Sequence, residues 1–433
     1  MANAFSPFRY AAHPIRIQGN ILEVMLRNVF IGEICQIRKS IENSMPIGEA
    51  IVIGFRHGIT ILSMMGNSQG YSLQIIVEPT GEAFSVALNH RVLGSMIDIK
   101  GHCLLRFDGK DLSEDLPSKL YPVHAQPPAY HERLPITTLF QSGVRAIDGL
   151  LSCALGQRMG IFASAGTGKT MLLNMIIRFS QADVFVIGLI GERGREVTEF
   201  VEELKQDSRC NKVVLICSTS EKPAVDRCNA ALVATTVAEY FREQGKHVVL
   251  FIDSITRYCR ALRDVALTAG ELPVRKGYPA SVFDTLPAIL ERPGVTKRGS
   301  ITAFYTVLLE SDDEPDAIGE EVRSIVDGHI YLSRKIAASG HYPAIDILAS
   351  VSRLFQQITD ERQQQAGLKI RQILMRLQDI KLLQEFGEYR IGDNALNDEA
   401  VNKQSKVEKF LMQSFKEKAE FQQTLEKLYE IAN

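Results

Sequence analysis

Arg158-Met159-Gly160-Ile161-Phe162-Ala163-Ser164-Ala165-Gly166-Thr167-Gly168-Lys169-Thr170 decides how this chain is read. Its first six residues form a largely apolar run of strand length. The eight from Ala163 to Thr170 follow that run and open a segment of helical pattern, Met171–Phe179. Strand, glycine-rich turn and helix in this order build a phosphate-binding loop. Gly166 and Gly168 let successive backbone N–H groups turn toward phosphate oxygens, and the helix N-terminus adds partial positive charge. The expected cradle is Ser164, Ala165, Gly166, Thr167, Gly168, Lys169, Thr170 and Met171. Lys169 would reach the β- and γ-phosphates, and the Thr170 hydroxyl would coordinate Mg²⁺. The usual pattern begins with Gly where this chain has Ala163, so the first position is expected to need no positive φ.

Outward from the loop, apolar strands alternate with helical segments from about Gln157 to Ser333. The strands are Arg158–Ala163, Asp183–Ile190, Val213–Cys217, His247–Ile252, Ile301–Leu309 and His329–Leu332; helices include Met171–Phe179, Glu196–Lys205 and Pro223–Glu243. Nearly continuous apolar strands are those of a parallel sheet covered on both faces, and the alternation predicts a doubly wound α/β core. Ligands of such sheets sit beyond the carboxyl ends of strands. Glu192, directly after the second strand, is the candidate for polarising an attacking water. Asp253 ends the run Val248-Val249-Leu250-Phe251-Ile252. It can hold Mg²⁺ through the metal's water shell, as Walker-B aspartates do, or cap the following helix, and both readings stay open.

Either side of the core the pattern changes. From Ile15 to about Val86 short β-type runs recur about every ten residues (Ile21–Leu26, Ala50–Phe55, Ile59–Leu62, Leu73–Val77), the spacing of a small sandwich or barrel. Pro117, Pro122, Pro127 and Pro128 then mark a linker-like stretch, because proline opposes helix and central strand alike. Beyond about Asp360, Gln364–Phe386, Asn397–Phe415 and Ala419–Ile431 read as helices. The expected organisation is 1–90 as an N-terminal β-barrel, 91–156 as linker and entry to the core, 157–359 as nucleotide-binding domain and 360–433 as helical domain.

The 433 residues are 45% hydrophobic and 23% charged, which excludes a disordered or fibrous chain. Lys+Arg 49 against Asp+Glu 51 leaves a net charge of -2, so no global basic field recruits nucleic acid, and none is expected as a partner. Seven scattered cysteines without a Cys-x-x-Cys pair fit free thiols in a reducing compartment and offer no zinc-ligand spacing. Met1 to Arg9 lacks the pattern of a signal peptide, and apolar runs such as Val184–Ile190 fall short of the ~18 residues that span a bilayer. A cytoplasmic protein is expected, touching a membrane only through partners.

Four runs carry a resemblance: Gly191-Glu192-Arg193-Gly194-Arg195-Glu196, Asp253-Ser254-Ile255-Thr256-Arg257-Tyr258, Gly299-Ser300-Ile301-Thr302-Ala303-Phe304-Tyr305 and Pro343-Ala344-Ile345-Asp346-Ile347-Leu348-Ala349-Ser350-Val351-Ser352. With the phosphate loop, they make nearly the whole chain resemble the α/β-type rotary ATPases. More closely it resembles the ATPases that energise type III protein export. The run Gly387-Glu388-Tyr389-Arg390-Ile391-Gly392 resembles a Gly-Glu-Tyr element of export ATPases, and the regions around Cys228–Tyr240 and Tyr278–Gly294 look like the injectisome branch. The resemblance implies a RecA-like core, ATP and Mg²⁺, with Glu192 as catalytic glutamate and Arg193 as the arginine that senses the γ-phosphate. It also implies that Arg353 is an arginine finger given to the neighbouring subunit's site and that Tyr342 packs against adenine.

The resemblance further implies a homohexamer that works with a central stalk, a stator, an export gate and chaperone–substrate complexes. The work would be chaperone release and substrate unfolding at the cytoplasmic base of a secretion apparatus. The N-terminal domain would tie the ring together and the helical tail would face substrate. The alternative within the superfamily is the catalytic subunit of a proton-translocating F- or V-type ATPase. A non-catalytic ring subunit is disfavoured by Glu192. An RNA-translocating ring like transcription terminator Rho is disfavoured by the near-neutral charge and by the lack of an aromatic-plus-basic run in residues 1–90.

Overall fold

Alternating apolar residues in the N-terminal segment do what their period dictates. In Glu33–Arg38 every second residue is buried, and Cys35 and Ile37 join Leu22, Val24, Ala50, Val52, Leu62, Met64 and Val77 in one cluster. The computed structural model describes residues 10–40, 45–66, 70–109, 118–310, 316–385, 390, 392 and 394–433. Residues 1–9, Pro117, Phe386 and most of the 387–392 run (Gly387, Glu388, Tyr389 and Ile391) lie outside the described residues. The chain divides into two compact units: Met1–Pro127 with Val186–Tyr240 and Ile252–Arg292, and Pro128–Phe185 with Phe241–Phe251 and Pro293–Asn433.

In the first unit the N-terminal strands form a six-stranded antiparallel sheet in the order Pro14–Gln18, Ile21–Val24, Ile59–Met65, Gly48–Arg56, Glu33–Arg38, Ile76–Ala83. The expected barrel is not closed by a continuous ladder. Its edges meet at one bridge, Ala12 to Val77, with N–H···O distances of 3.0 and 2.9 Å. The edge strand is five residues long and begins with Pro14, which has no N–H to give.

The proline-marked stretch also contains paired backbone. Lys119–Pro122 lies antiparallel to Ser85–Leu88 in a two-stranded ribbon. Such a ribbon consists only of edges, so Pro122 at the strand end is tolerated. Ser95–Ile97, too short to stand out in the sequence, runs parallel to Val213–Ser218 and antiparallel to Cys103–Arg106.

In the second unit strand Arg158–Ala163 lies between Ser300–Leu308 and Gly328–Leu332, parallel to both. Met159, Ile161, Phe162 and Ala163 are at most 1% exposed, as expected of a strand covered on both faces. The sheet is mixed rather than wholly parallel, because Ile345–Ser352 pairs antiparallel with Gly328–Leu332 at its edge. Helices Glu361–Glu385, Ala395–Leu411 and Phe421–Ala432 pack on one another and on the short helix Arg145–Leu150. None of the seven cysteines is in a disulfide. Among the described residues no helix is long and apolar enough to cross a membrane.

Candidate active site

The phosphate loop begins where strand Arg158–Ala163 ends. Ala163 is still in register with Leu308 and Leu332, and its carbonyl accepts from Leu309 N at 3.0 Å. It is a strand residue with no positive φ, so alanine serves where the usual pattern has glycine. Left-handed backbone starts later, at Gly166 (φ 81°) and Gly168 (φ 84°). Between them Thr167 is buried, and its hydroxyl donates to the Ser164 carbonyl at 2.9 Å, which ties the turn from inside. Ser164 is buried as well, Ala165, Gly166 and Thr170 are exposed, and Lys169 and Met171 are half-buried. Gly168 starts helix Lys169–Phe179 with no side-chain cap, an arrangement in which backbone N–H groups of a helix start face a phosphate.

Gly168 has a second reason to be glycine. A Cβ there would meet the Tyr342 ring at 3.1 and 3.2 Å, so the aromatic side chain lies directly against the loop. The Tyr342 carbonyl accepts from Gln413 N at 2.9 Å. Arg353, one residue beyond strand Ile345–Ser352, is exposed. Its backbone N–H donates to Asp327 O at 2.9 Å and its Nη2 to Arg323 O at 3.0 Å. Asp327 is itself gripped by Arg158, whose Nε and Nη2 donate to the carboxylate at 2.8 Å each. Nearby His329 has its pKa pushed down by burial and by the cations Arg323 and Arg353.

Strand Val184–Ile190, which belongs to the other unit from Val186 on, is buried at every position and delivers Gly191 and Glu192. Gly191 (φ 67°) donates its N–H to Ser218 O at 2.6 Å, and a Cβ there would meet Arg257 Cδ at 3.2 Å. Glu192 is 6% exposed. Its Oε2 lies 3.1 Å from Arg257 Nη1, and the same guanidinium donates to the Gly191 carbonyl. Burial, with Glu221 and Glu192 adding to it, pushes the neighbouring Cys217 thiol up to about 12, so that thiol stays neutral.

Arg193 immediately precedes helix Gly194–Lys205 and stands in solvent, with Nη1 3.7 Å from Glu196 Oε1; a pair this exposed contributes little. Asp253 closes strand His247–Asp253 and is 4% exposed. The cap of helix Ile255–Ala269 is Ser254, whose Oγ accepts the Arg257 N–H at 3.3 Å. The residue at the cap position is therefore Ser254, one place after Asp253.

The fold thus brings Tyr342 against the phosphate loop and carries Arg353 in the same unit, tied by hydrogen bonds to Asp327 and Arg323. Glu192, Arg193 and Asp253 belong to the other unit. Arg257 is the residue that sequence reasoning missed. It stands inside a quoted run, but the Gly191 carbonyl to which its guanidinium donates is 66 residues away, and no local pattern joins the two.

Comparisons with known proteins cover almost all of the chain. Residues 143–352 match the ATP synthase alpha/beta family, nucleotide-binding domain, and residues 359–430 match the T3SS EscN ATPase C-terminal domain. The SPI-1 type 3 secretion system ATPase of Salmonella typhi is 52% identical over 419 residues, 96% of each chain. The assembled ATPase EscN of enteropathogenic E. coli superposes with a TM-score of 0.90 at 41% identity, over 98% of this chain and 100% of EscN. EscN in complex with its central stalk EscO superposes with a TM-score of 0.87 at 40% identity, over 98% and 100%.

Proposed function

The chain belongs to the type III secretion system ATPases, and from that premise we propose how its residues divide the work of hydrolysing ATP. It is an ATP-hydrolysing enzyme of the ATP synthase alpha/beta family, and its role is to energise type III secretion. The observation that carries the residue assignment is the phosphate loop, with left-handed Gly166 and Gly168 opening a helix under the Tyr342 ring. The match of residues 359–430 favours export over a proton-translocating ATPase subunit.

Ser164 to Met171 cradle the phosphates, with Lys169 placing its charge on the β- and γ-groups. Tyr342 packs on adenine. Glu192 polarises the attacking water, and Arg257 acts on it as a positioning residue by holding its carboxylate. Arg193 senses the γ-phosphate. The Thr170 hydroxyl and, through water, the Asp253 carboxylate would hold Mg²⁺. An exposed hydroxyl in the first helical turn and a buried carboxylate whose capping duty Ser254 has taken fit that role. When bound, the ion supplies neutralisation of the phosphate charge.

Arg353 serves the site of a neighbouring copy. A guanidinium there stabilises the charge that spreads over the equatorial oxygens in the transition state, and supplying it in trans makes turnover depend on assembly. The reading is a homohexamer, in the cytoplasm at the base of the apparatus. Residues 1–90 tie the ring, 91–156 lead into the core, 157–359 hydrolyse ATP and 360–433 face chaperone–substrate complexes. The chain also contacts a central stalk, as EscN does with EscO, a stator and the export gate. In this way it frees substrates from chaperones and unfolds them.

Mixed rings test the reading. Arg353→Ala and Lys169→Ala are each expected to be inactive alone, and rings containing both are expected to regain turnover at interfaces that pair an intact loop with an intact arginine. Rings shown to be mixed by native mass that release no phosphate would overturn the in-trans assignment.

A further inference from the structure

Gln413 is a polar residue with almost no solvent, 4% exposed, in the segment after helix Ala395–Leu411. Every polar atom of its side chain is engaged. Its Oε1 accepts the Arg145 N–H at 2.8 Å, and its Nε2 donates to Gly143 O at 2.8 Å and to Glu417 O at 2.7 Å. Its backbone N–H donates to the Tyr342 carbonyl at 2.9 Å. One residue thus joins the start of helix Arg145–Leu150, the C-terminal segment and the aromatic residue that lies on the phosphate loop.

The surroundings leave this joint little play. Arg145, 7% exposed, donates from Nε to Phe410 O at 3.0 Å and from Nη2 to Met412 O at 2.5 Å, and its guanidinium pairs with Glu417. Ala419 N donates to Gly143 O at 3.2 Å. His341, next to Tyr342, bonds the Leu411 backbone. Residues 410–419 are therefore held at both flanks of Gln413, and Tyr342 is held by Gln413. On the other side, the Tyr342 ring comes within 3.1 Å of where a Cβ on Gly168 would lie.

We propose that Gln413 is a positioning residue for nucleotide binding: its side-chain amide fixes the backbone that holds Tyr342, and thereby sets the height of the Tyr342 ring over the phosphate loop. The inference rests on the reading of Tyr342 as the adenine contact. A buried amide with all its bonds made costs its full desolvation when those bonds are lost, so the segment gives way before the amide stays unpaired. What moves is the aromatic surface for the base. The glycines and Lys169 that hold the phosphates take their geometry from the strand and helix around them.

The experiment uses the full chain at concentrations where it assembles, with ATP and inorganic tripolyphosphate as probes. Gln413→Met keeps the length of the side chain and removes its hydrogen bonds; if it does not fold, Gln413→Asn, with an amide that no longer reaches, replaces it. The expected result is a KM for ATP raised about three- to tenfold, the range that one or two lost hydrogen bonds support. kcat should change less, and inhibition by tripolyphosphate, which has no base to stack, should keep its strength. In a Tyr342→Ala background the same substitution is expected to add little, since coupled residues are non-additive.

If Tyr342→Ala raises KM and the Gln413 variants do not, the inference falls while the reading of Tyr342 stands. If Tyr342→Ala leaves KM unchanged, that reading falls and the inference with it. Equal weakening of ATP and tripolyphosphate, or a loss of thermal stability and kcat at constant KM, assigns Gln413 a merely structural role and overturns the proposal.

Discussion

The phosphate loop and the Glu192 loop both follow a buried strand, yet they are held by different means. In the first, the geometry is written into the backbone: Gly166 and Gly168 take φ of 81° and 84°, Thr167 bonds its own turn, and a helix begins at once. In the second, one glycine turns the chain, and the Glu192 carboxylate, the proposed water activator, pairs with the side chain of Arg257, with Ser254 pinning the first turn of the helix that carries Arg257. A ligand that is mostly phosphate needs many N–H groups at fixed places, which backbone supplies at low entropy cost. A single reacting water needs one charge aimed at one point, and a side chain locked by its partner supplies that.

The sharpest way to break the comparison is to strip each loop of its charge. Lys169→Ala is expected to lose turnover and to weaken ATP binding together, because its cation acts on the bound phosphates as well as in the transition state. Glu192→Gln is expected to cut kcat by about 10²–10⁴-fold and to leave ATP binding nearly intact, because a side chain that acts on water contributes mainly at the transition state. Phosphate release and nucleotide binding measured on the same samples decide it. Equal effects of the two variants on binding would erase the distinction between a loop that binds and a loop that reacts.

The same difference explains what could be read in the sequence. The strand, the glycines and the Lys-Thr pair are adjacent residues with local conformational demands, and all six core strands fall within a residue or two of their expected places. Ala163 could be judged harmless because a strand end needs no left-handed backbone. Arg257 could not be assigned, because its use depends on two loops meeting, which is tertiary information. Strand Ile345–Ser352 is half-buried and antiparallel at an edge, so it lacks the apolar run that marked the others. The bridge at Ala12 and the pairing of Lys119–Pro122 escaped for the same reason: a few backbone hydrogen bonds leave no period.

Arg257 offers the next test. Arg257→Leu removes the partner of a carboxylate whose side chain is 8% exposed and frees the Gly191 carbonyl from its donor. The expected outcome is a kcat lowered about ten- to hundredfold with KM for ATP less affected, since the proposed reading gives binding to the other loop. Arg257→Lys should recover a good part of the loss, because one nitrogen can still reach Glu192 even though the fork geometry is gone. A rise in KM as large as the fall in kcat would show that the two loops are not separable in this way.

The smallest expected effect concerns pH and one buried carboxylate in each unit, both pushed up by burial to about 6 and differing in their hydrogen bonds. Asp148, in the phosphate-loop unit, spends both oxygens on Ser142 and Gly143. Asp226, in the Glu192 unit, accepts the Gly66 N–H at 2.9 Å, and among the described residues its Oδ1 is buried without a hydrogen bond. Burial pushes Asp226 up from 3.8 to about 6, against smaller pulls from the Gly66 N–H, Lys222 and Lys100. Because the folded chain then holds this proton to higher pH than the unfolded chain, Asp226 costs nothing below 3.8. Its cost grows as pH rises to about 6 and is complete above that. Asp226→Asn keeps an acceptor for Gly66 and cannot ionise. Its stability relative to the natural chain is therefore expected to climb by roughly 2 kcal/mol between pH 4 and pH 7. Asp148→Asn, which must present a donor where Gly143 also donates, is expected to lose stability at both pH values, and less at pH 7, because burial pushes Asp148 up to about 6 as well. Thermal or urea unfolding of the three chains across that range checks it, and an Asp226→Asn difference that does not change with pH would remove the uncompensated carboxylate from the account.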